Sequence, residues 1–308
     1  MFEQTVKLSL KGSQIGVFLS KIRCECNNRI QIDPVITLTS DFGQKDPYLA
    51  SLRGELHRLV EHPVIVDISH EIEPFHIAQA AFVVQNSYAH FPEGSVHILC
   101  IDDTVSPENK PIVAKLNKHY FVCADNGILS LISPKFKPDE VYEIEIQKAP
   151  TDSFSTRGIF AHAAAHIIRG GTLSVIGKKI AQIHVRLPFT PSVNNDKNTI
   201  TGKVIYIDNY ENVITNISEE LFLEIGQGRA FTIQFRNNEI KQVVHSYEEV
   251  IRFDIDKNKR MEGGKELALF NSLGLLELAI YKSNPQHTGG ASSLFGLQYL
   301  DVVSVHFE

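Results

Sequence analysis

The chain has few cysteines and no long apolar run. Its 308 residues include four cysteines, at positions 24, 26, 100 and 123. These are too few and too unevenly spaced for a disulfide framework. Cys100 and Cys123 stand in apolar, strand-like runs, where reduced thiols are typical of a protein core. No run reaches the roughly 18 apolar residues that a membrane helix requires. We therefore expect a cytoplasmic protein that does not span a membrane.

The chain also has no excess of positive charge and lacks two common nucleotide-binding motifs. The formal net charge is −6 and the pI is near 6.1, so nothing in the charge balance favours nucleic acid or an anionic membrane as a partner. The absence of GxGxxG and GxxxxGK[ST] lowers the case for dinucleotide or nucleoside-triphosphate enzymes. His162 and His166 have metal-ligand spacing, but no carboxylate completes an HExxH pattern. The sequence therefore predicts no metal site.

Strand and helix patterns alternate from residue 35 onward. Residues 35–43 predict a buried strand that ends in a sharp turn at Asp41. Further strand patterns lie at 64–68, 95–101, 112–116, 119–124 and 141–146, and helical spacing lies at 48–60, 77–88 and 157–169. This alternation predicts an α/β domain with a mainly parallel sheet and helices on both faces. Asp41 would stand at the carboxyl end of its strand, where open α/β sheets bind ligands.

The pattern changes after Arg186. Proline and asparagine are frequent in the segment that follows, as in a domain linker, and the strand patterns beyond it have few helical patterns between them. Such a series predicts a small β-barrel or sandwich, of which the barrel is the leading expectation. The predicted divisions are an N-terminal extension expected to be disordered over 1–34, the α/β domain over 35–187, the linker over 188–199 and the β-barrel domain over 200–308.

Five short motifs occur in one order across both predicted domains. They are Thr39 to Gly43 with Asp46 and Tyr48, the turns at 67–70 and 124–127, Tyr-Ile-Asp-Asn-Tyr-Glu-Asn-Val at 206–213, and Phe-Asn-Ser-Leu-Gly at 270–274. Together they resemble the S-adenosylmethionine hydroxide adenosyltransferases, the adenosine-forming hydrolases related to fluorinases and chlorinases. The resemblance implies that water displaces methionine from the 5′-carbon of S-adenosylmethionine. It also implies an enzyme without a metal or other cofactor, and a homotrimer with its sites between subunits.

The resemblance assigns substrate contacts to both domains. Asp41 corresponds to the ribose-binding aspartate, because a carboxylate can accept hydrogen bonds from both ribose hydroxyls; a turn or helix-capping role is the alternative. Phe75 falls where relatives place an aromatic side chain near sugar and adenine, with core packing as the alternative. Leu273 stands where the halogenating relatives carry an arginine. The remaining predicted substrate-binding residues are Asp46, Tyr48 and Thr156 in the first domain, and Asp208, Asn212 and Ser272 for the methionine end in the second.

The predicted nucleophile pocket departs from the related hydrolases at two of three positions. Those enzymes orient water with an aspartate, an arginine and a histidine. Asp102 matches the aspartate. Asn109, followed by Lys110, stands at the arginine position, and Ser155 stands at the histidine position. These four residues are the predicted catalytic candidates.

Three hypotheses about the nucleophile remain open. Asp102 could still orient water together with Lys110 or Arg157, since such work needs hydrogen-bond reach more than one fixed residue type. Ser155 and Thr156 could instead cradle a halide, although the negative charge of Asp102 would repel it. The third hypothesis is that the chain binds S-adenosylmethionine or another adenosine compound without turnover. Hydrolysis is the leading hypothesis, binding without turnover is the second, and halogenation is the third.

Overall fold

The three-dimensional structure is a computed structural model of the chain. It describes residues 33–134, 137–146, 154, 156–260 and 263–308. Most of the predicted extension, up to residue 32, lies outside the described residues, and so does the predicted catalytic residue Ser155. Among the described residues, no helix has the length and apolar character needed to cross a membrane.

The first domain is built on a mixed sheet. Its strands are β1 (Ile36–Ser40), β2 (Ile65–Ser69), β3 (Val96–Cys100), β4 (Pro111–Leu116), β5 (His119–Ala124), β6 (Glu140–Ile144) and β7 (Gly177–Lys179). Within the described residues these seven strands follow the order β2-β1-β3-β5-β4-β6-β7. Strands β2, β1, β3 and β5 are parallel, and the other three continue the sheet antiparallel from β5. The α/β class is confirmed, and the parallel pairing occupies one half of the sheet.

Helices cover both faces of this sheet, as predicted. They are α1 (Pro47–Leu59), α2 (Ile77–Gln85), α3 (Ile128–Ile132), α4 (Ala161–Ile168) and α5 (Leu173–Ile176), with a π-helical turn over Thr156–Phe160 just before α4. Leu52 and Leu56 of α1 join Ile36 and Leu38 of β1 in one core. The apolar side chains of α2 and α3 form a second core on the opposite face. The parallel strands β1 and β3 are therefore buried at every position, whereas the edge strand β2 is only partly buried.

The second domain is a nearly closed, barrel-like sheet. Its strands are β8 (Ser192–Val193), β9 (Thr199–Ile207), β10 (Val213–Ser218), β11 (Phe231–Phe235), β12 (Asn238–Ile240), β13 (Val243–Val244), β14 (Glu266–Phe270), β15 (Leu275–Ile280) and β16 (Val302–Phe307), and its helices are α6 (Glu219–Gly226) and α7 (Ala291–Phe295). In the described part of the chain the order is β12-β11-β16-β9-β10-β15-β14-β13, with β8 beside β9. The sequence pattern did not predict α6. This helix starts at Ser218, whose hydroxyl accepts a hydrogen bond from the amide of Leu221 at 3.2 Å, as N-cap residues do.

Aromatic contacts join the two domains. Phe82 of α2 stacks on Tyr206 of β9 with ring centroids 4.5 Å apart, and His76 meets Tyr299 edge to face at 4.7 Å. The predicted linker over 188–199 contains β8, and β9 begins at its last residue. The helix α2 that follows the 70–76 turn is thus packed directly against the second domain.

Candidate active site

Asp41 leaves the carboxyl end of β1 and fixes a neighbouring turn. Its Oδ2 atom accepts a hydrogen bond from the amide of Phe75 at 2.8 Å. Phe75 has a φ of 64°, a conformation that is unusual for a bulky side chain, and its side chain is 71% exposed. The core-packing alternative for Phe75 therefore does not hold. The ring is instead held out beside the carboxylate that the sequence predicted as the ribose contact.

His70 stabilises this turn through its ring and its carbonyl group. Its Nδ1 atom lies 2.6 Å from the hydroxyl of Ser40, and its carbonyl accepts a hydrogen bond from the amide of Gly43 at 2.9 Å. Its Nε2 atom is 3.0 Å from Asp67 Oδ1, but lies outside the direction needed for a hydrogen bond. His70 is 3% exposed, so its contribution is to hold the Asp41 turn in place.

Asp102 occupies a strained turn immediately after β3. Its φ is 46°, in the left-handed region that non-glycine residues rarely adopt. Two side-chain amides hold its carbonyl oxygen: Asn109 Nδ2 at 2.9 Å and Asn126 Nδ2 at 3.3 Å. These two hydrogen bonds hold the backbone at Asp102 and thereby position the residue that follows, Asp103.

Asp103 is a site residue that the sequence pattern did not indicate. The hydroxyl of Thr156, which is fully buried, donates a hydrogen bond to Asp103 Oδ2. Burial, and then the negative charge of Asp41, raise the pKa of Asp103 to about 6. Burial raises the pKa of the Cys100 thiol well above its usual range, and the charges of Asp103 and Asp41 add to this effect. The one available signal was the adjacent acidic pair at the end of a predicted strand.

Asn109 and Lys110 face away from a common reaction centre. The Asn109 amide donates to the carbonyl of Asp102 and also to the carbonyl of Thr104, the latter at 3.0 Å. This side chain therefore stabilises the backbone of the loop in which it lies. The Lys110 ammonium lies 2.8 Å from Glu143 Oε2. The structure therefore brings Asp41, Asp103 and Thr156 together, and it does not bring Lys110 to them.

Aromatic side chains border the same edge of the sheet. The rings of Phe42, Tyr48 and Phe154 form a triangle with centroid distances of 5.5 to 5.8 Å. Tyr48 is 50% exposed, and Asp46 is exposed at the start of α1 without capping it. Aromatic faces attract a cation by about 0.5–2 kcal/mol. Together with the carboxylates nearby, this border suits a positively charged ligand.

A second polar group lies in the barrel domain. Asp208 Oδ1 accepts hydrogen bonds from the amides of Tyr210 and Asn212, each at 2.8 Å. Asp208 Oδ2 accepts from Asn212 Nδ2 at 3.0 Å. Glu211, between these residues, has a φ of 61°. Asp208 and Asn212, both predicted substrate contacts, thus form one hydrogen-bonded unit on a strained loop, and their role toward the substrate stays a prediction.

A buried glutamate supports the turn that carries Ser272. Glu277 is 3% exposed and accepts hydrogen bonds from the hydroxyl of Tyr247 and from Asn271 Nδ2, the latter at 3.0 Å. Burial raises the pKa of Glu277, and the charge of Asp208 adds to this effect. Asn271 Oδ1 in turn accepts from the amide of Leu273 at 3.0 Å. The sequence pattern did not indicate Glu277 or Tyr247, because burial of a glutamate in an apolar strand is visible only in the fold.

Family models match both domains and therefore both of the polar groups described above. The family model of the SAM hydroxide adenosyltransferase N-terminal domain matches residues 36–177, and the model of the C-terminal domain matches residues 202–304. The chain belongs to the SAM hydroxide adenosyltransferase family. The resemblance carried by the five motifs is therefore confirmed, and both polar groups described above fall within the matched family domains.

Several members of the SAM hydroxide adenosyltransferase family are similar over most of the chain. The (R)-S-adenosyl-L-methionine hydrolase of Methanocaldococcus jannaschii is 28% identical over 285 residues, which cover 90% of this chain and 97% of that protein. The hydrolase of the same name from Thermus thermophilus is 25% identical, over 82% of this chain and 93% of that protein. A fluorinase from Actinopolyspora mzabensis is 21% identical over 63% of this chain and 75% of that protein.

Solved structures agree with this fold. An uncharacterized conserved protein from Thermotoga maritima superimposes with a TM-score of 0.74 at 28% identity, covering 88% of this chain and all of that one. A conserved hypothetical protein from Thermus thermophilus, at 23% identity, has a TM-score of 0.64 over 90% of this chain and all of that one, and it shares the fold.

Proposed function

We propose that this chain hydrolyses S-adenosylmethionine to adenosine and methionine. Water attacks the 5′-carbon, the C5′–S bond breaks with its electron pair passing to sulfur, and one proton of the water is lost. The positively charged sulfonium thereby becomes the neutral thioether of methionine. The observation that carries the proposal is the group formed by Asp41 after β1, Asp103 after β3 and Thr156 at the start of the π-helical turn. It lies in a chain whose relative over 90% of its length is named a hydrolase of this substrate.

The charges of the group favour this substrate. Asp41 is the proposed ribose contact, and the carboxylates around it would attract the sulfonium cation. In the second domain, Asp208 would pair with the methionine ammonium and Ser272 would donate to its carboxylate. The cleavage needs no added cofactor in this proposal, because the sulfonium is already an activated leaving group.

A second candidate function is binding without turnover. It is favoured by the side chain of Asn109, which is engaged with main-chain carbonyl groups at 2.9 and 3.0 Å and carries no charge toward a water molecule. Halogenation has less support. The acidic residues at this edge would repel a halide ion, which must lose much of its hydration to react.

The two half-sites support a proposal about assembly. Asp41 and its neighbours belong to the first domain, and Asp208 and its neighbours belong to the second. We propose that the chain forms a homotrimer in which the first domain of one copy completes its site with the second domain of the next. Mixing Asp41→Asn with Asp208→Asn subunits after reversible dissociation should then restore about a quarter of wild-type activity, since random assembly makes about one interface in four fully wild type. Sites contained within single chains would give no restoration.

The test of the activity is direct product analysis. Purified protein is incubated with (R)-S-adenosyl-L-methionine, with and without chloride, and adenosine, methionine and halogenated nucleosides are separated by liquid chromatography. Hydrolysis predicts equal amounts of adenosine and methionine that do not depend on chloride. Binding without turnover predicts a raised melting temperature, following RT ln(1 + [L]/Kd), with no product.

A further inference from the structure

Asp103, the acidic residue next to the predicted Asp102, contacts a buried hydroxyl at the edge of the sheet. The left-handed turn at Asp102, with a φ of 46°, directs the chain so that Asp103 reaches Thr156 across the sheet edge. Asn109 and Asn126 hold this turn from two sides through the carbonyl of Asp102, at 2.9 and 3.3 Å. The loop is thus built to fix Asp103.

The surroundings of Asp103 suit a general base. The charged groups that act on its carboxyl are Asp41 at the end of β1 and, more weakly, Asp102. Together with burial, which is the largest cause, they raise the pKa of Asp103 to about 6. A base is most useful when its pKa lies near the working pH, because it is then both ionised and able to take a proton. The hydroxyl of Thr156 donates to one carboxyl oxygen, Oδ2, and so orients the carboxyl group.

We propose that Asp103, rather than Asp102, holds the attacking water and takes its proton, with Thr156, Asn109 and Asn126 as positioning residues. The inference rests on the proposed hydrolysis. In the step, the water oxygen forms the bond to C5′, the C5′–S bond breaks toward sulfur, and the proton passes to the Asp103 carboxylate and then to solvent. The arginine of the related hydrolases is absent at 109, and the asparagine there serves the same loop by fixing its backbone.

The inference is tested by comparing carboxylate-to-amide variants in the same loop. Asp103→Asn should lower the rate of adenosine release about 100-fold or more, as expected for loss of a general base, and change the affinity for adenosine less than threefold. Asp102→Asn should lower the rate less than tenfold. Glu108→Gln, on the exposed tip of the loop, is the matched control and should behave as wild type.

The pH profile separates catalysis from structural support. The wild-type rate should rise with pH through a midpoint near 6, as the Asp103 carboxyl ionises. Donation from the Thr156 hydroxyl stabilises the ionised form, so Thr156→Val should move this midpoint upward, and Thr156→Ser should restore it. If Asp103→Asn does not fold, the shift of the pH midpoint in Thr156→Val tests the inference.

The outcomes can be told apart. A wild-type protein that releases no adenosine overturns the proposed function and this inference with it. An active wild type with an active Asp103→Asn variant overturns only the inference, as does a loss in Asp102→Asn that equals or exceeds the loss in Asp103→Asn. A midpoint that stays in place in Thr156→Val, when that variant is folded, also contradicts the inference.

Discussion

Acidification should weaken the first domain through one buried histidine. His97 of β3 is fully buried. Its Nδ1 atom lies 2.7 Å from the hydroxyl of Thr37, and its Nε2 atom lies 3.1 Å from His119 Nδ1. Burial, and then the charge of His119, lower the pKa of His97 from 6.5 to about 3. The folded protein therefore keeps this imidazole neutral.

The sign and size of the effect follow from linkage. Between pH 6.5 and about 3 the unfolded chain binds the His97 proton and the folded chain does not, so the free energy of unfolding falls as the pH falls. At pH 5 the loss from His97 alone is about 2 kcal/mol relative to pH 7.5. Asp103 acts in the opposite direction, because its folded pKa of about 6 lies above its ordinary value.

The assay compares variants so that the titrating groups that do not contact His97 cancel. Urea unfolding of the wild type and of His97→Gln is measured at pH 7.5 and pH 5. The glutamine keeps a hydrogen-bonding group near the Nε2 position but does not titrate, so it should remove about 2 kcal/mol of the pH-dependent loss. His57→Gln, on the exposed side of α1, is the control and should lose as much stability as the wild type. Equal losses in the wild type and His97→Gln would refute the reasoning.

Two further predictions concern a turn and the ribose contact. Gly127→Ala should lower the free energy of unfolding by about 1–3 kcal/mol more than Gly170→Ala does. Both glycines have a left-handed φ, but only at Gly127 would an added Cβ atom meet a neighbour, Arg186 Cγ at 2.5 Å. Equal melting temperatures of the two variants would contradict this steric explanation. Asp41→Asn should weaken adenosine binding about 10- to 150-fold, because hydrogen bonds to a charged group contribute about 1.5–3 kcal/mol. Calorimetric titration measures this change, Asp139→Asn is the exposed control, and an unchanged Kd would refute the ribose role.

The class of fold could be predicted from the sequence because its determinants are local. A strand buried on both faces is mostly apolar or β-branched, so the parallel strands appear as short runs of such residues, although β1 and β3 also bury polar side chains such as Thr37 and His97. The hairpin at Asn117 and Lys118 was also readable, because both residues adopt left-handed φ, at 49° and 66°, in a two-residue turn of the kind that favours asparagine. The missed helix α6 is short, and a short amphipathic segment beside a strand carries little periodic signal.

The family was also encoded in the sequence, and the same motifs predict the location of the site. Asp41 could be placed because a turn after a parallel strand lies at the ligand-binding edge of the sheet. Asp208 and Asn212 could be assigned to one substrate-binding loop because only four positions separate them. These residues depend on motifs whose members are close together in the chain.

Tertiary structure alone decided which carboxyl groups interact. Asp103 meets Thr156 only because β3 and the π-helical turn converge, although 53 positions separate the two residues. Glu277 and Tyr247 meet in the same way across 30 positions. Sequence fixes residue types and local geometry, but burial and charge proximity depend on segments that come together only in the fold, and these set the pKa of a carboxyl group. For this protein, the strand-end motif indicated where the chemistry lies, and the packing around that strand indicated Asp103 as the residue to test.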